Sequence, residues 1–433
     1  MAKRHGMRAG DWESVFGRLQ ELVMANSGED PFEEIFKLLV AKLFAEVRAP
    51  ESSPFTAAEP PQTADAVNRL LALASQHWRG ILDGPPRSGL APEHLTVCVR
   101  EIQHLSLVDT SLEVLDGAFE FLVSQVAKGS KGQYFTPRHV IDCCVKIVDP
   151  KPHETVLDPA CGSGGFLIHT LNHVLNLNPM TQASTYCAER LWGCDFDRRA
   201  IQVAKAMMLI AGDGQSNLFR LNSLLTPEAN TMLISEPMEE GVPRLTIEDV
   251  VRARSRSFKG FDVILTNPPF AGEIKETQIL DHYDLARRSR RVERDVLFLE
   301  RCVRLLRPGG RLGIVLPHNK LGSTSWEYAR TWLLRHLRVV AVLGLGRNTF
   351  LPHTHQKTSV IFGVKRDRPI RSPEAEDILF LISERDGKDS RGQILSRPGV
   401  SAEDPAWLRA DHDLGEISDR FHHFVRSTAV QWS

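Results

Sequence analysis

The sequence predicts an α/β fold, a mostly parallel, doubly wound sheet preceded by an α-helical region. Three observations predict it. From about residue 150, short apolar runs alternate with stretches of helical periodicity. The first of these runs leads straight into a glycine-rich bend, "TVLDPACGSGGF". Residues 11–128, by contrast, read as helical.

Each element follows in order. In "PFEEIFKLLVAKLFAEV", Phe32, Ile35, Phe36, Leu39, Leu43 and Phe44 recur at three- and four-residue steps, which makes one apolar stripe on a helix. The stretches 48–62 and 84–89 are rich in Pro, Ser or Gly and read as linkers or loops. Strands are expected at 155–158, 190–195, 218–222, 262–267, 311–317, 339–345 and 358–364, with helices at 164–176, 197–211, 295–306 and 324–336 between several of them. The last stretch has weaker periodicity and stays unassigned. In such sheets ligands bind beyond the carboxyl ends of the strands, so functional motifs should come directly after strands. They do.

Composition sets outer bounds. A chain of 433 residues can hold two or three domains, and 42% hydrophobic with 25% charged residues is the profile of a globular protein. A net charge of −1 gives no overall basic field, although a local basic surface can hide in a balanced sum. The seven cysteines include no C-x-x-C pair and no Cys/His cluster at zinc spacing, so no metal is expected and a reducing compartment fits best. Met1–Gly10 is basic but leads into no apolar segment, and no apolar run is long enough to span a bilayer. The expectation is a cytoplasmic or nucleoid-associated protein with no membrane partner.

The first strand ends at Asp158. Gly162, Gly164 and Gly165 then allow a sharp turn and a close approach of backbone to ligand. The bend departs from G-x-G-x-x-G, which favours a ligand without pyrophosphate over a dinucleotide; a purely structural turn is the alternative. The second strand closes on Asp195, positioned to accept hydrogen bonds from two ribose hydroxyls, with Asp197 as the other candidate.

The run "FDVILT" delivers Asn267-Pro268-Pro269-Phe270 to the carboxyl edge. The exocyclic amine of adenine is a poor nucleophile, because its lone pair is delocalised into the ring. If the Asn267 side-chain carbonyl and the Pro268 backbone carbonyl hold its two hydrogens, the nitrogen is drawn towards tetrahedral geometry and can face a methyl sulfonium. Two prolines preorganise both acceptors. Phe270 offers a face on which a base flipped from a duplex could stack. The plain alternative is a Pro-Pro turn after a strand.

Together these residues resemble the amino-methyltransferase family of DNA methylases, and more narrowly the adenine-modifying subunit of type I restriction-modification systems. The resemblance rests on "GQYFTPR" (132–138), "LDPACGSGGF" (157–166), "TNPPF" (266–270), "LLRPGGRLGIVLP" (305–317) and "KTSVIF" (357–362), and spans roughly residues 30–365. It implies a class I S-adenosylmethionine-dependent methyltransferase sheet of seven strands with an α-helical N-terminal domain. The domains would be 1–128 (helical), 129–366 (catalytic) and 367–433 (an extension for partner or DNA contact). It further implies that Tyr134, Phe135, Thr136 and Pro137 close on the methionine end of S-adenosylmethionine, with Thr136 near its carboxylate. Asp158, Cys161, Gly162 and Gly164 would lie against the methionine and ribose, and Asp195 would be the ribose-binding acid. Asn222 stands where such enzymes often carry Asp near the adenine ring, and Asn267 to Phe270 would be catalytic. Double-stranded DNA, a specificity subunit and a restriction subunit are the implied partners.

Two basic runs flank the tetrapeptide: Arg252, Arg254, Arg256 and Lys259 before it, Arg287, Arg288, Arg290, Arg291 and Arg294 after it. Phosphate contact or a solvated face would account for either. Cys143 and Cys144 read as helix-packing residues, and the histidines at 353, 355, 422 and 423 as surface or core groups. Cytosine C5 chemistry is disfavoured, since the chain contains no Pro-Cys dipeptide. Methylation of another planar nitrogen, in an RNA base or a protein glutamine, and a non-catalytic cofactor-binding scaffold stay open.

Overall fold

The computed structural model describes residues 9–26, 28–48, 55–78, 80–110, 114–115, 118–119, 122, 135–212, 217–232, 245–287, 289–371, 376–400, 409–428, 430 and 432. Tyr134 and Arg288, both singled out above, lie outside them. The chain divides into two compact units, one of Met1–Gly129 with Gln202–Gln215 and one of Ser130–Ile201 with Ser216–Ser433.

The first unit contains helices Ala9–Asn26, Pro31–Arg48, Pro60–His77 and Pro92–Ile102. The apolar stripe of the second helix is its buried face: Phe32, Ile35, Phe36, Leu39 and Leu43 are at most 2% exposed. Helices three and four begin with Pro in the first turn, where a missing N–H costs nothing and the fixed φ already suits a helix. Glu34 is buried as well, and it accepts hydrogen bonds from Lys37 Nζ (2.6 Å), Ser88 Oγ (2.6 Å) and Gly89 N (3.1 Å). A buried carboxylate thus ties the 84–89 loop to the helix.

The second unit is built on a sheet. Its strands are β1 (Val156–Asp158), β2 (Leu191–Asp195), β3 (Asn217–Arg220), β4 (Phe261–Thr266), β7 (Leu306–Pro317), β8 (Leu337–Gly344), β9 (Thr358–Lys365) and β10 (Leu379–Ile382). β5 (Glu273–Ile274) and β6 (Val292–Glu293) form a separate antiparallel pair after the tetrapeptide. All seven expected strands are present, and the helices appear as Gly165–Leu177, Arg198–Ile210, Arg294–Leu305 and Glu327–His336. The spatial order is β10-β8-β9-β7-β4-β1-β2-β3. Pairing is parallel except where β9 runs antiparallel between β7 and β8.

Both faces are covered, which is why the strands read as continuous apolar runs. On one face, Leu157, Ile264, Leu312 and Ile314 share a core with Val251, Leu299, Cys302 and Leu333 from helices 247–254, 294–305 and 327–336. On the other, Val148 of helix Arg138–Val148 closes on Gly313 and Leu265. Helix Leu414–Ser427 packs on helix 138–148, and its Phe421 lies between Phe362 and Trp432. Residues beyond 367 therefore contribute an eighth strand and a covering helix to this sheet. All seven cysteines are free and buried, Cys143 and Cys144 among the packing residues of helix 138–148. Among the described residues no helix is long and apolar enough to cross a membrane, and no His/Cys/Asp/Glu group could hold a metal ion.

The chain leaves β1 towards β2 and β3 on one side and returns to β4 and β7 on the other. The order reverses between β1 and β4, so their carboxyl ends flank the topological switch point.

Candidate active site

Two loops meet at that switch point. The buried carboxylate of Asp158, at the end of β1, accepts a 2.7 Å hydrogen bond at Oδ1 from Thr266 Oγ1, at the end of β4. The same oxygen accepts from Ala160 N at 3.1 Å. The glycine bend and the Asn-Pro-Pro-Phe turn therefore open on the same edge of the sheet, one side-chain bond apart. Burial pushes the Asp158 carboxyl up to about 7, against the Thr266 hydroxyl and the Ala160 amide, which stabilise its charged form.

The bend owes its shape to Gly162 (φ 53°) and Gly164 (φ 87°), both in left-handed conformations that suit glycine, before helix Gly165–Leu177 begins. Nothing lies within 4 Å of where a Cβ on Gly162 would sit. Cys161 N donates to Cys194 O (2.9 Å), which stitches the bend to β2. Asp195 then receives Gly162 N at Oδ2 and Asp197 N at Oδ1, both at 2.9 Å. Burial raises its carboxyl to about 6, with those amides holding it lower than burial alone would. The Phe196 amide also stabilises the charged form, and of the carboxylate's four lone pairs at least one stays for a ligand hydroxyl. Asp197 caps the next helix instead, its Oδ1 accepting from Ala200 N (2.9 Å) in the first turn. Asn222, half-buried after β3, folds its Oδ1 back onto Leu224 N (3.0 Å).

These residues fit an S-adenosyl cofactor. Open space faces the Gly162 backbone, and an amide-oriented carboxylate stands beside it with acceptor capacity to spare.

Asn267 is half-buried, and its Nδ2 donates to Thr136 Oγ1 at 2.9 Å. Pro268 is buried and Pro269 half-buried. Phe270 is 8% exposed, with its ring edge-on to Phe350 at 6.2 Å between centroids. Phe135, beside Thr136, lies 6.3 Å from the ring of His353. The β8–β9 connection thus reaches the turn through Phe350 and His353.

Sequence reasoning did not single out Thr266, Phe350 or His353 as site residues. Thr266 had a usable signal, a hydroxyl directly after the apolar run Val263-Ile264-Leu265 and before Asn267. Phe350 and His353 had none, since only the fold brings the β8–β9 connection back to β4.

The basic run that precedes the tetrapeptide in sequence is not beside it in space. Arg252, Arg254, Arg256 and Lys259 are exposed and come before the start of β4, at the amino edge of the sheet. There Arg254 lies over the Trp192 ring, near the start of β2, at 6.0 Å. Arg287, Arg290, Arg291 and Arg294 are exposed. Arg287 pairs with Asp284 (2.7 Å), which also meets Arg304 near the end of helix 294–305 (3.5 Å), whereas Arg290 and Arg291 lead into the start of that helix at Arg294. Arg294 N donates to Gly272 O at 3.1 Å, two residues past Phe270.

The family model described as N-6 DNA Methylase matches residues 110–409. A type II restriction enzyme and methyltransferase, RM.BcgI of Heyndrickxia coagulans, is 25% identical over 61% of this chain and 35% of its own. The EcoEI type I restriction enzyme methylase subunit of Escherichia coli is 27% identical over 55% of this chain and 43% of its own. These matches cover less than half of either relative. Among solved structures, a modification subunit of a putative type I restriction enzyme from Vibrio vulnificus superposes with a TM-score of 0.62 at 18% identity, covering 88% of this chain and 87% of that one. At that identity the likeness speaks to fold.

Proposed function

Because the chain belongs to the N-6 DNA methylase family, we propose that it methylates the exocyclic N6 of adenine in duplex DNA, as the modification component of a restriction-modification or related defence system in the cytoplasm. The observation that carries this reading is the 2.7 Å bond between Thr266 and Asp158, since transfer requires amine and methyl donor to meet at one edge of the sheet. S-adenosylmethionine, when bound, supplies a methyl group on a sulfonium already activated for transfer.

The residues divide the work. Gly162 and Gly164 let the backbone approach the cofactor, and Asp195, oriented by two amides, accepts its ribose hydroxyls. The Asn267 side-chain carbonyl and the Pro268 main-chain carbonyl hold the two hydrogens of the target amine and free its lone pair. Phe270, braced edge-on by Phe350, supports the base that has left the duplex. Water is excluded by the buried Pro268 and Phe270. Arg290, Arg291 and Arg294 hold DNA phosphates on this edge. A separate specificity subunit reads the sequence, and a restriction subunit joins the same assembly.

Single-molecule sequencing of DNA from cells with and without the gene tests the proposal. N6-methyladenine at one defined sequence context, present only with the gene and its neighbours, is the expected result. Unmodified adenine throughout, together with cofactor binding by calorimetry, would leave the scaffold reading in its place.

A further inference from the structure

Phe350 stands edge-on to Phe270, yet the β8–β9 connection that carries it has no helix or strand of its own. It is a run of tight turns: Leu351 N donates to Asn348 O (3.0 Å), and His353 N and Thr354 N donate to Phe350 O (3.0 and 3.1 Å). Such bonds fix the local shape of a loop. They do not fix where it sits relative to the Asn-Pro-Pro-Phe turn.

Its seat comes from residues 386–394, in the stretch beyond 367. Asp386 accepts from Asn348 N at Oδ2 (3.0 Å) and from Thr349 Oγ1 at Oδ1 (3.2 Å). A Cβ on Gly346 would collide with that carboxylate, so the loop needs glycine there to admit it. On the other side of Phe350, Lys388 Nζ donates to Leu351 O at 2.7 Å. Gly392, with a φ of 82°, turns the chain between Lys388 and Ile394, which pair antiparallel. A side chain on Gly392 would meet Pro352 N at 2.8 Å. A carboxylate and an ammonium thus grip the loop immediately before and after Phe350, and charge-assisted bonds are stronger than neutral ones.

We propose that Asp386 is a positioning residue for the transfer: it sets where Phe350 stands against Phe270, and through that ring pair where the target base rests. The inference rests on the methyltransferase reading above for the identity of the base. The grip on the loop can be tested without it.

Asp386→Ala removes both acceptors. Asp386→Asn keeps both contacts, because its carbonyl can face the Asn348 amide and its NH2 group the Thr349 hydroxyl, which accepts as well as donates. Hydrogen exchange read by mass spectrometry on the full chain should show peptides covering 346–354 exchanging at least about tenfold faster in Asp386→Ala than in the wild type. Asp386→Asn should stay within about threefold of the wild type, with peptides of β7 and β9 unchanged in both variants. Equal exchange in all three chains overturns the proposal, whether or not the protein methylates anything. Faster exchange spread evenly through β7, β8 and β9 overturns it as well, since Asp386 would then support the sheet and not this loop.

In the assembly that methylates DNA, Asp386→Ala should lower kcat by about tenfold, and Asp386→Asn should recover most of the rate. Phe350→Leu keeps an apolar side chain but removes the ring. In that background Asp386→Ala should cost little more, because two changes that act through one ring do not add. A full, independent loss there would mean that Asp386 reaches the site by another route, and would overturn the inference. Absence of methylation by the wild-type assembly bears on the function alone, and the exchange measurement still decides the grip.

Discussion

The two edges of the central sheet carry similar groups of exposed arginine and differ in everything else. Towards the carboxyl edge, Arg290 and Arg291 lead into Arg294, whose N donates to Gly272 O two residues past the turn, on the edge where buried Asp158 and Thr266 share a hydrogen bond. At the amino edge, Arg252, Arg254 and Arg256 close helix Ile247–Arg254 and precede β4, with Arg254 over an indole. β4 is six residues long. At roughly 3.3 Å per residue it sets the two edges about 20 Å apart. Nearness in sequence to a functional tetrapeptide is therefore nearness in space only on the side where the strand ends.

The largest expected effect tests what the carboxyl edge is for. Asn267→Ala removes one of two acceptors for the target amine and should reduce kcat by about a hundredfold to ten-thousandfold. Cofactor affinity, measured by calorimetry, should change by less than about twofold. A large loss of cofactor binding with the fold intact would mean that the turn belongs to the cofactor and not to the substrate.

A smaller effect separates the two edges directly. Replacing Arg290, Arg291 and Arg294 with Ala should weaken DNA binding by about one to two orders of magnitude. The slope of log affinity against log salt should become shallower by up to about 3, near one unit for each lost phosphate contact. The matching triple substitution of Arg252, Arg254 and Arg256 should leave both quantities nearly unchanged. Fluorescence anisotropy across a salt series reads the two together, and equal losses from the two triples would abolish the distinction between the edges.

The comparison also explains what was legible in the sequence. β1, β4 and β7 are buried on both faces, so "VLD", "FDVILT" and "RLGIVLP" announce themselves as apolar runs ending in a motif. β10 went unread because its apolar residues do not mark a buried face: Phe380 and Ile382 are 71% and 69% exposed on this edge strand, and only Leu381 between them is buried. The glycine bend and the Asn-Pro-Pro-Phe turn were legible because their backbone demands are written in Gly and Pro. Their junction was not, since the bond from Thr266 to Asp158 depends on the parallel register of β1 with β4, in which Leu157 faces Ile264. Likewise nothing in "RARSRSFK" says which end of a strand it will occupy.

The smallest effect concerns that junction. Burial lifts the Asp158 carboxyl to about 7 from an ordinary value near 3.8. A carboxyl raised on folding binds its proton more tightly in the native state than in the unfolded one. Its contribution to stability is therefore fully present below about pH 4 and is lost as pH rises through about 7. Asp195, lifted to about 6, acts in the same direction over a narrower range. Asp158→Asn keeps an oxygen to accept from Thr266 and the Ala160 amide, and cannot ionise. Melting followed from pH 5 to pH 8 should thus show the wild-type chain losing stability relative to the Asp158→Asn variant, with the divergence growing from pH 5 and levelling off above about pH 7. A tenfold change in proton affinity corresponds to about 1.4 kcal/mol, so a gap of a few degrees is expected at the alkaline end. Parallel melting curves for the two proteins would mean that the carboxylate is better solvated than its burial implies. The carboxyl edge would then be an open cleft even without its ligands, and its contrast with the amino edge would rest on charge placement alone.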